Sequence, residues 1–155
     1  DPEVIKDNLL KFYYVYVFRQ DNRIKLLGPN RYFDVYIEPS LKDFISRRFE
    51  NIVRDYFSIA VTKGEYEGII DIGTFFTHDS EYDCVLQKAN KKYSVYEVKF
   101  LSSPMGLREQ YKEIEQVKCI KGIEVDEMGF VSSSGFDGRI DGIRYLDIEN
   151  LWFED

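Results

Sequence analysis

Cysteine is scarce in this chain. Cys84 and Cys119 are the only two, they show no CxxC spacing, and both lie in apolar-rich segments. This speaks against a disulfide scaffold and fits reduced thiols in a cytosolic protein. Long hydrophobic runs are also missing: the strongest, Leu9 to Phe18, is broken by Lys11 and reaches only about half a membrane span, so it is assigned to a core and no membrane partner is expected. The opening residues lack a basic segment followed by an apolar one, so no signal peptide is expected. The first residue is Asp1 rather than Met, which suggests a piece of a longer protein. No repeat, low-complexity stretch or GxxxxGK[ST] motif occurs, so this chain does not itself bind ATP by a P-loop. An excess of positive charge is absent too. The 21 basic residues face 28 acidic ones, which argues against a general nucleic-acid-coating protein and confines any such contact to a local patch.

What is present is enough apolar and aromatic material, 44% and 16%, for a real core in one domain of ordinary size. Residues 7 to 27 open with the capping types Asp7-Asn8 and continue into an apolar run that suits a buried helix or strand; we read a helix. Gly28-Pro29-Asn30 is a breaker, and Ser40 in Glu38-Pro39-Ser40 is expected to start the next helix. Apolar residues from Leu41 to Phe57 then keep a 3.6-residue period. Strands are predicted at Ile69 to Phe76, Tyr82 to Gln87 and Tyr93 to Phe100, forming a meander. Pro104 begins an amphipathic helix with Leu107, Tyr111, Ile114 and Val117 on one face. Strands at Met128 to Ser132 and Ile143 to Ile148 follow, then a helical turn. The order implies an α/β fold with a mixed sheet covered by helices.

Alternation along Tyr93 to Phe100 puts Val95, Glu97 and Lys99 on one face. If the preceding hairpin is centred on Asn90, Asp83 lies opposite Glu97, with Cβ atoms about 4.5 to 5.5 Å apart. Two carboxylates at that range repel unless a cation sits between them, and a hard divalent ion is the natural one. A turn centred between Ala89 and Asn90 would bring Asp83 opposite Tyr96 instead. The bland alternative is that Glu97 and Lys99 form a solvated ion pair. Glu50, at the border of the apolar stripe on the long helix, is a further acid that could reach the ion, or an ordinary surface glutamate beside Arg47 and Arg54. Arg47, Arg48, Arg54, Lys88, Lys91 and Lys92 are candidates for a phosphate-binding strip, or simply solvated charge. His78 and the Ser132-Ser133-Ser134-Gly135 cluster read first as turn and surface residues.

The set Glu50, Glu81-Tyr82-Asp83 and Glu97-Val98-Lys99-Phe100 resembles the PD-(D/E)xK nuclease superfamily, with Tyr82 in place of the signature proline. Asp7-Asn8-Leu9-Leu10-Lys11-Phe12-Tyr13-Tyr14, Phe49-Glu50, Ile72-Gly73-Thr74-Phe75-Phe76 and Ser134-Gly135-Phe136 resemble the C-terminal domain of unknown function behind archaeal-type P-loop ATPases. The resemblance implies a restriction-endonuclease-like core at 39–155 after an N-terminal helical extension at 1–38, in a cytoplasmic protein. It implies phosphodiester hydrolysis in nucleic acid, with DNA and the upstream ATPase as partners. Asp83, Glu97 and the Val98 carbonyl would hold Mg2+ or Mn2+, Glu50 would support the ion, and Lys99 would position the water. Two other readings compete: a silent module of the same fold used for docking or regulation, and an adaptor using Phe12, Tyr13, Tyr14 and Tyr16 if those rings prove exposed.

Overall fold

The computed structural model describes residues 7–151. The chain divides between Arg48 and Phe49 into two compact units. Among the described residues no helix is long and apolar enough to cross a membrane.

The first unit is helical. The predicted helix over 7 to 27 is interrupted: α1, Asn8–Tyr16, begins with the Asp7 side chain accepting from the Leu10 N–H, and α2, Asp21–Leu27, follows a turn in which Arg19 takes a positive φ of 59°. Gly28, at φ 76°, ends α2, and Pro29 occupies the first turn of α3, Pro29–Tyr32. The breaker therefore separates two helices. Ser40 does not start a helix. The backbone continues from α3 through a π-helical turn, Phe33–Ile37, into α4, Glu38–Thr62, and the Glu38 N–H bonds the Phe33 carbonyl. Pro39 supplies the reason, since its missing N–H and its ring both disturb the preceding helical turn, and a π turn absorbs the disturbance. Ser40 instead shares a 2.8 Å hydrogen bond with the Tyr16 hydroxyl.

The core of this unit is small: Tyr16, Tyr32 and Ile37 are buried, with Phe12, Leu41 and Phe44 packed on them. The run from Leu9 to Phe18 is thus not a buried core segment throughout. Leu9, Tyr14 and Val15 are 76%, 49% and 59% exposed, so the stretch presents an apolar, aromatic surface.

The second unit carries a five-stranded mixed sheet. Its strands are β1 (Ile69–Phe76), β2 (Glu81–Lys88), β3 (Lys92–Lys99), β5 (Glu124–Ser132) and β7 (Arg144–Asp147), in spatial order β1-β2-β3-β5-β7. The first three pair antiparallel, and β3-β5 and β5-β7 pair parallel. Sequence patterning indicated all five. Two two-residue strands, β4 (Met105–Gly106) and β6 (Phe136–Asp137), were not predicted, and β4 occupies what was expected to be the first turn of the helix beginning at Pro104. A single 3-10 turn, Ile148–Leu151, ends the described chain.

One sheet face packs on the second half of α4, where Phe49, Val53, Tyr56, Phe57 and Ala60 meet Cys84, Leu86, Tyr96, Val98 and Val131. The other packs on α5, Leu107–Lys118, where Ile114 and Val117 meet Val85, Val95, Met128 and Phe130. The face of α5 differs from expectation. Leu107 and Tyr111 are exposed, whereas Gln110 and Glu113 are buried alongside Ile114 and Val117. Gln110 can be buried because its amide donates to the Met105 and Gly138 carbonyls and its oxygen accepts from Tyr145 Oη.

Both cysteines are free, one on each side of the solvent boundary. Cys84 is fully buried and burial pushes its thiol up to about 12, while Cys119 is exposed. Iodoacetamide at pH 8 should therefore label native protein at Cys119 alone, with Cys84 reacting only in denaturant. Peptide mass spectrometry reads the sites, and rapid native labelling of Cys84 would contradict the burial.

Candidate functional site

The hairpin of β2 and β3 positions the acids. Its ladder pairs Gln87 with Tyr93, Leu86 with Ser94, Val85 with Val95 and Cys84 with Tyr96, so the turn is centred on Asn90. Lys91, at φ 67°, takes the left-handed position of a three-residue loop, and the Asn90 side chain accepts from the Lys92 N–H. The ladder ends at the pair Cys84 and Tyr96, which excludes the alternative with Asp83 opposite Tyr96 and leaves Asp83 and Glu97 as the next residues beyond the last pair.

A β-bulge acts at the same place. Against β1, Val85 pairs with Gly73 but Tyr82 pairs with Phe75, so Asp83 and Cys84 together oppose the single residue Thr74. The extra residue explains why Tyr82 and Val85, three apart, both join the cluster on the α5 side. Bulges of this kind re-aim side chains and are frequent beside active sites. The Asp83 carbonyl accepts a 2.8 Å hydrogen bond from Arg54 on α4, and Arg54 also donates to the Asn51 side chain.

Glu97 is only 5% exposed although it lies at the polar end of β3. Glu113 of α5 is buried next to it and takes an ion pair from Lys99 at 3.2 Å. Burial, then the charge of Glu113 and to a lesser degree of Asp83, pushes the Glu97 carboxyl up to about 7 against the pull of Lys99. Burial likewise raises Asp83, with Glu81 adding to it and Arg54 and Lys99 opposing. For Lys99 burial alone would lower the pKa; Glu113 and Glu97 outweigh it and hold the ammonium above its ordinary value. Glu97, Glu113 and Lys99 therefore act on one another as one group, which Asp83 influences more weakly.

Glu113 was not anticipated. Its signal was available in retrospect: it lies four residues before Val117 and three after Gln110, on the stripe that proves to be buried. Glu50 is half-buried on α4, one helical turn before Arg54 and so on the same side of the helix. Among the described residues, no three His, Cys, Asp or Glu side chains form a ready metal-binding group. Asp83 and Glu97 supply two hard carboxylate donors, which is the number Mg2+ commonly takes from protein while waters and substrate phosphate complete its shell.

The basic candidates are dispersed. Arg47 is exposed and Arg48 half-buried, both in the first unit; Arg54 is engaged with the Asp83 carbonyl. Lys88 pairs with Asp126 at 2.8 Å and Lys92 with Glu124 at 3.3 Å, whereas Lys91 is exposed in the turn. His78 is almost wholly exposed beside Asp79. Ser133 and Ser134 donate to the Leu101 carbonyl and Ser133 Oγ accepts from the Leu101 N–H, so the serine cluster clips the end of β3 to β5.

Residues 13–117 match a family model, DUF234, described as archaea bacterial proteins of unknown function. The matched stretch covers more than half of the chain, which therefore belongs to that family. No curated protein and no solved structure matched the chain.

Proposed function

We propose that this member of the DUF234 family is a metal-dependent phosphodiesterase acting on nucleic acid, DNA in the first instance, with its centre at Asp83, Glu97 and Lys99. The observation that carries the reading is the hairpin register. The turn centred on Asn90 makes Asp83 and Glu97 the next residues beyond the last pair of the two strands, with Lys99 two residues on, which supports the resemblance to PD-(D/E)xK nucleases.

The donor chemistry fits the ion. Glu97 is raised by burial and by neighbouring carboxylates, and a divalent cation relieves that excess negative charge directly. Asp83, Glu97 and the Val98 backbone carbonyl would hold it, with Glu50 in support from α4. Mg2+ or Mn2+ so held would polarise the scissile phosphate and lower the pKa of a bound water. Lys99, fixed by its ion pair with Glu113, orients the attacking water and offsets negative charge developing on the phosphorus oxygens. Arg54 holds the β2 backbone at Asp83, which keeps the aspartate on the bulge in place.

The test is a plasmid-nicking assay with Mg2+ or Mn2+ alongside calorimetric metal titration, on the wild type, Asp83→Ala and Glu97→Ala. Nicking that requires metal and falls by at least about a hundredfold in both variants is expected. Absence of metal binding in the wild type would sink the reading. A second reading, a fold reused for docking, would then stand, favoured by the exposed Tyr13, Tyr14 and Phe18 of the first unit and by the upstream ATPase that the sequence resemblance implies.

A further inference from the structure

The first unit holds a cavity of 680 Å3 whose lining includes none of the acids of β2 and β3. That volume is in the range of small-molecule sites, about 300 to 1,000 Å3. Among the described residues its walls carry Arg47 and Arg48 together with Lys11 and Asp43, and Tyr14 and Phe44 supply aromatic surface.

Arg48 is the informative member. Its guanidinium lies over the Phe44 ring at 5.8 Å, and its Nε and Nη1 are shut off from solvent without a hydrogen-bond partner among the described residues. A glutamate or lysine so placed can shed its charge, but arginine stays protonated, so its burial is unfavourable until an anion is supplied. The guanidinium fork matches phosphate and carboxylate alike. Two adjacent guanidinium groups, Arg47 and Arg48, suit a group with close to two negative charges, which is a phosphate monoester at neutral pH. Tyr14, half-exposed and lining the cavity while its ring meets Tyr13 and Phe18 in T-shaped contacts, supplies aromatic surface to a planar partner.

We propose that this cavity binds a nucleoside monophosphate, its phosphate against Arg48 and Arg47 and its base against Tyr14. The site is separate from the acids of the hairpin and needs no metal. Binding is measured by calorimetry on the full chain in a chelating buffer, which silences any metal-dependent contribution. The probes are adenosine monophosphate, adenosine and inorganic phosphate. The monophosphate should bind more tightly than either fragment, and Arg48→Ala should weaken it by at least about tenfold. Arg47→Glu, at an exposed position where folding is not at stake, should do the same while leaving the circular dichroism spectrum unchanged. No binding of the monophosphate up to about 10 mM, inorganic phosphate bound as tightly as the nucleotide, or an unaltered affinity in Arg47→Glu would each overturn the proposal.

Discussion

Gly129→Ala is expected to destabilise the protein by about 3 kcal/mol, through one methyl group. A Cβ on Gly129 would stand 2.4 and 2.6 Å from two carbons of the Tyr96 ring and 3.0 Å from Arg144 Cβ. The backbone there is not left-handed, so the cost is steric rather than conformational. Tyr96 has nowhere to go: it is 1% exposed, its ring packs on Phe57 with centroids 4.6 Å apart, and its hydroxyl donates to Glu127. Close-packed interiors pass such an overlap on to their neighbours instead of absorbing it. Urea unfolding measures the loss, and the Tyr96→Leu background isolates its cause, because removing the ring should cancel most of the penalty. Equal costs in both backgrounds would show that the obstacle is not the ring.

The second large effect is a pH dependence centred on Glu97. An unfolded glutamate titrates near its ordinary value of 4.5, whereas the folded one is pushed up to about 7. Between those values the native state holds the extra proton, so stability declines as pH rises. The stabilising contribution of the protonated form is complete below 4.5 and gone above 7, an interval worth about 3 kcal/mol in total. Glu97→Gln keeps the size and removes the titration. In the presence of a chelator, unfolding free energies of wild type and variant should diverge from pH 5 to pH 8, with the wild type falling. Added Mg2+ should restore the wild type at pH 8 and leave the variant little changed. Parallel curves would mean that Glu97 is charged and satisfied without a cation, and the metal site would lose its physical basis.

Much of the second unit was legible in sequence because its strands are short apolar runs between turn residues, and Asn90 with Lys91 sets their register. Alternation put Glu97 and Lys99 on one face of β3, whereas the choice between the two registers considered for Asp83 waited on the turn, which centres on Asn90. What escaped shares one cause: the deciding interaction is made by residues distant in the chain. The buried face of α5 is set by Gln110 reaching Gly138 and Tyr145, which turns Tyr111 outward and Glu113 inward. The bulge at Asp83 and Cys84 depends on how β1 pairs, and a β2 sequence read alone gives no sign of it. In the first unit the aromatic run looked like core because composition reports hydrophobicity and not coverage. The strip of basic residues drawn from composition separates into paired lysines, a backbone-anchoring Arg54 and the buried charge of Arg48.

The hairpin register also constrains how related chains can vary in length. Side chains on a strand alternate with a period of two, so adding or losing one residue in the turn between β2 and β3 changes which residue of β3 stands across from Asp83. Glu97 would exchange places with a neighbour that faces the other layer. Only paired changes, or a compensating change in the bulge at Asp83 and Cys84, leave the acids together. Insertions in the loops after α5 or after β5 carry no such parity, since they move neither strand of the hairpin.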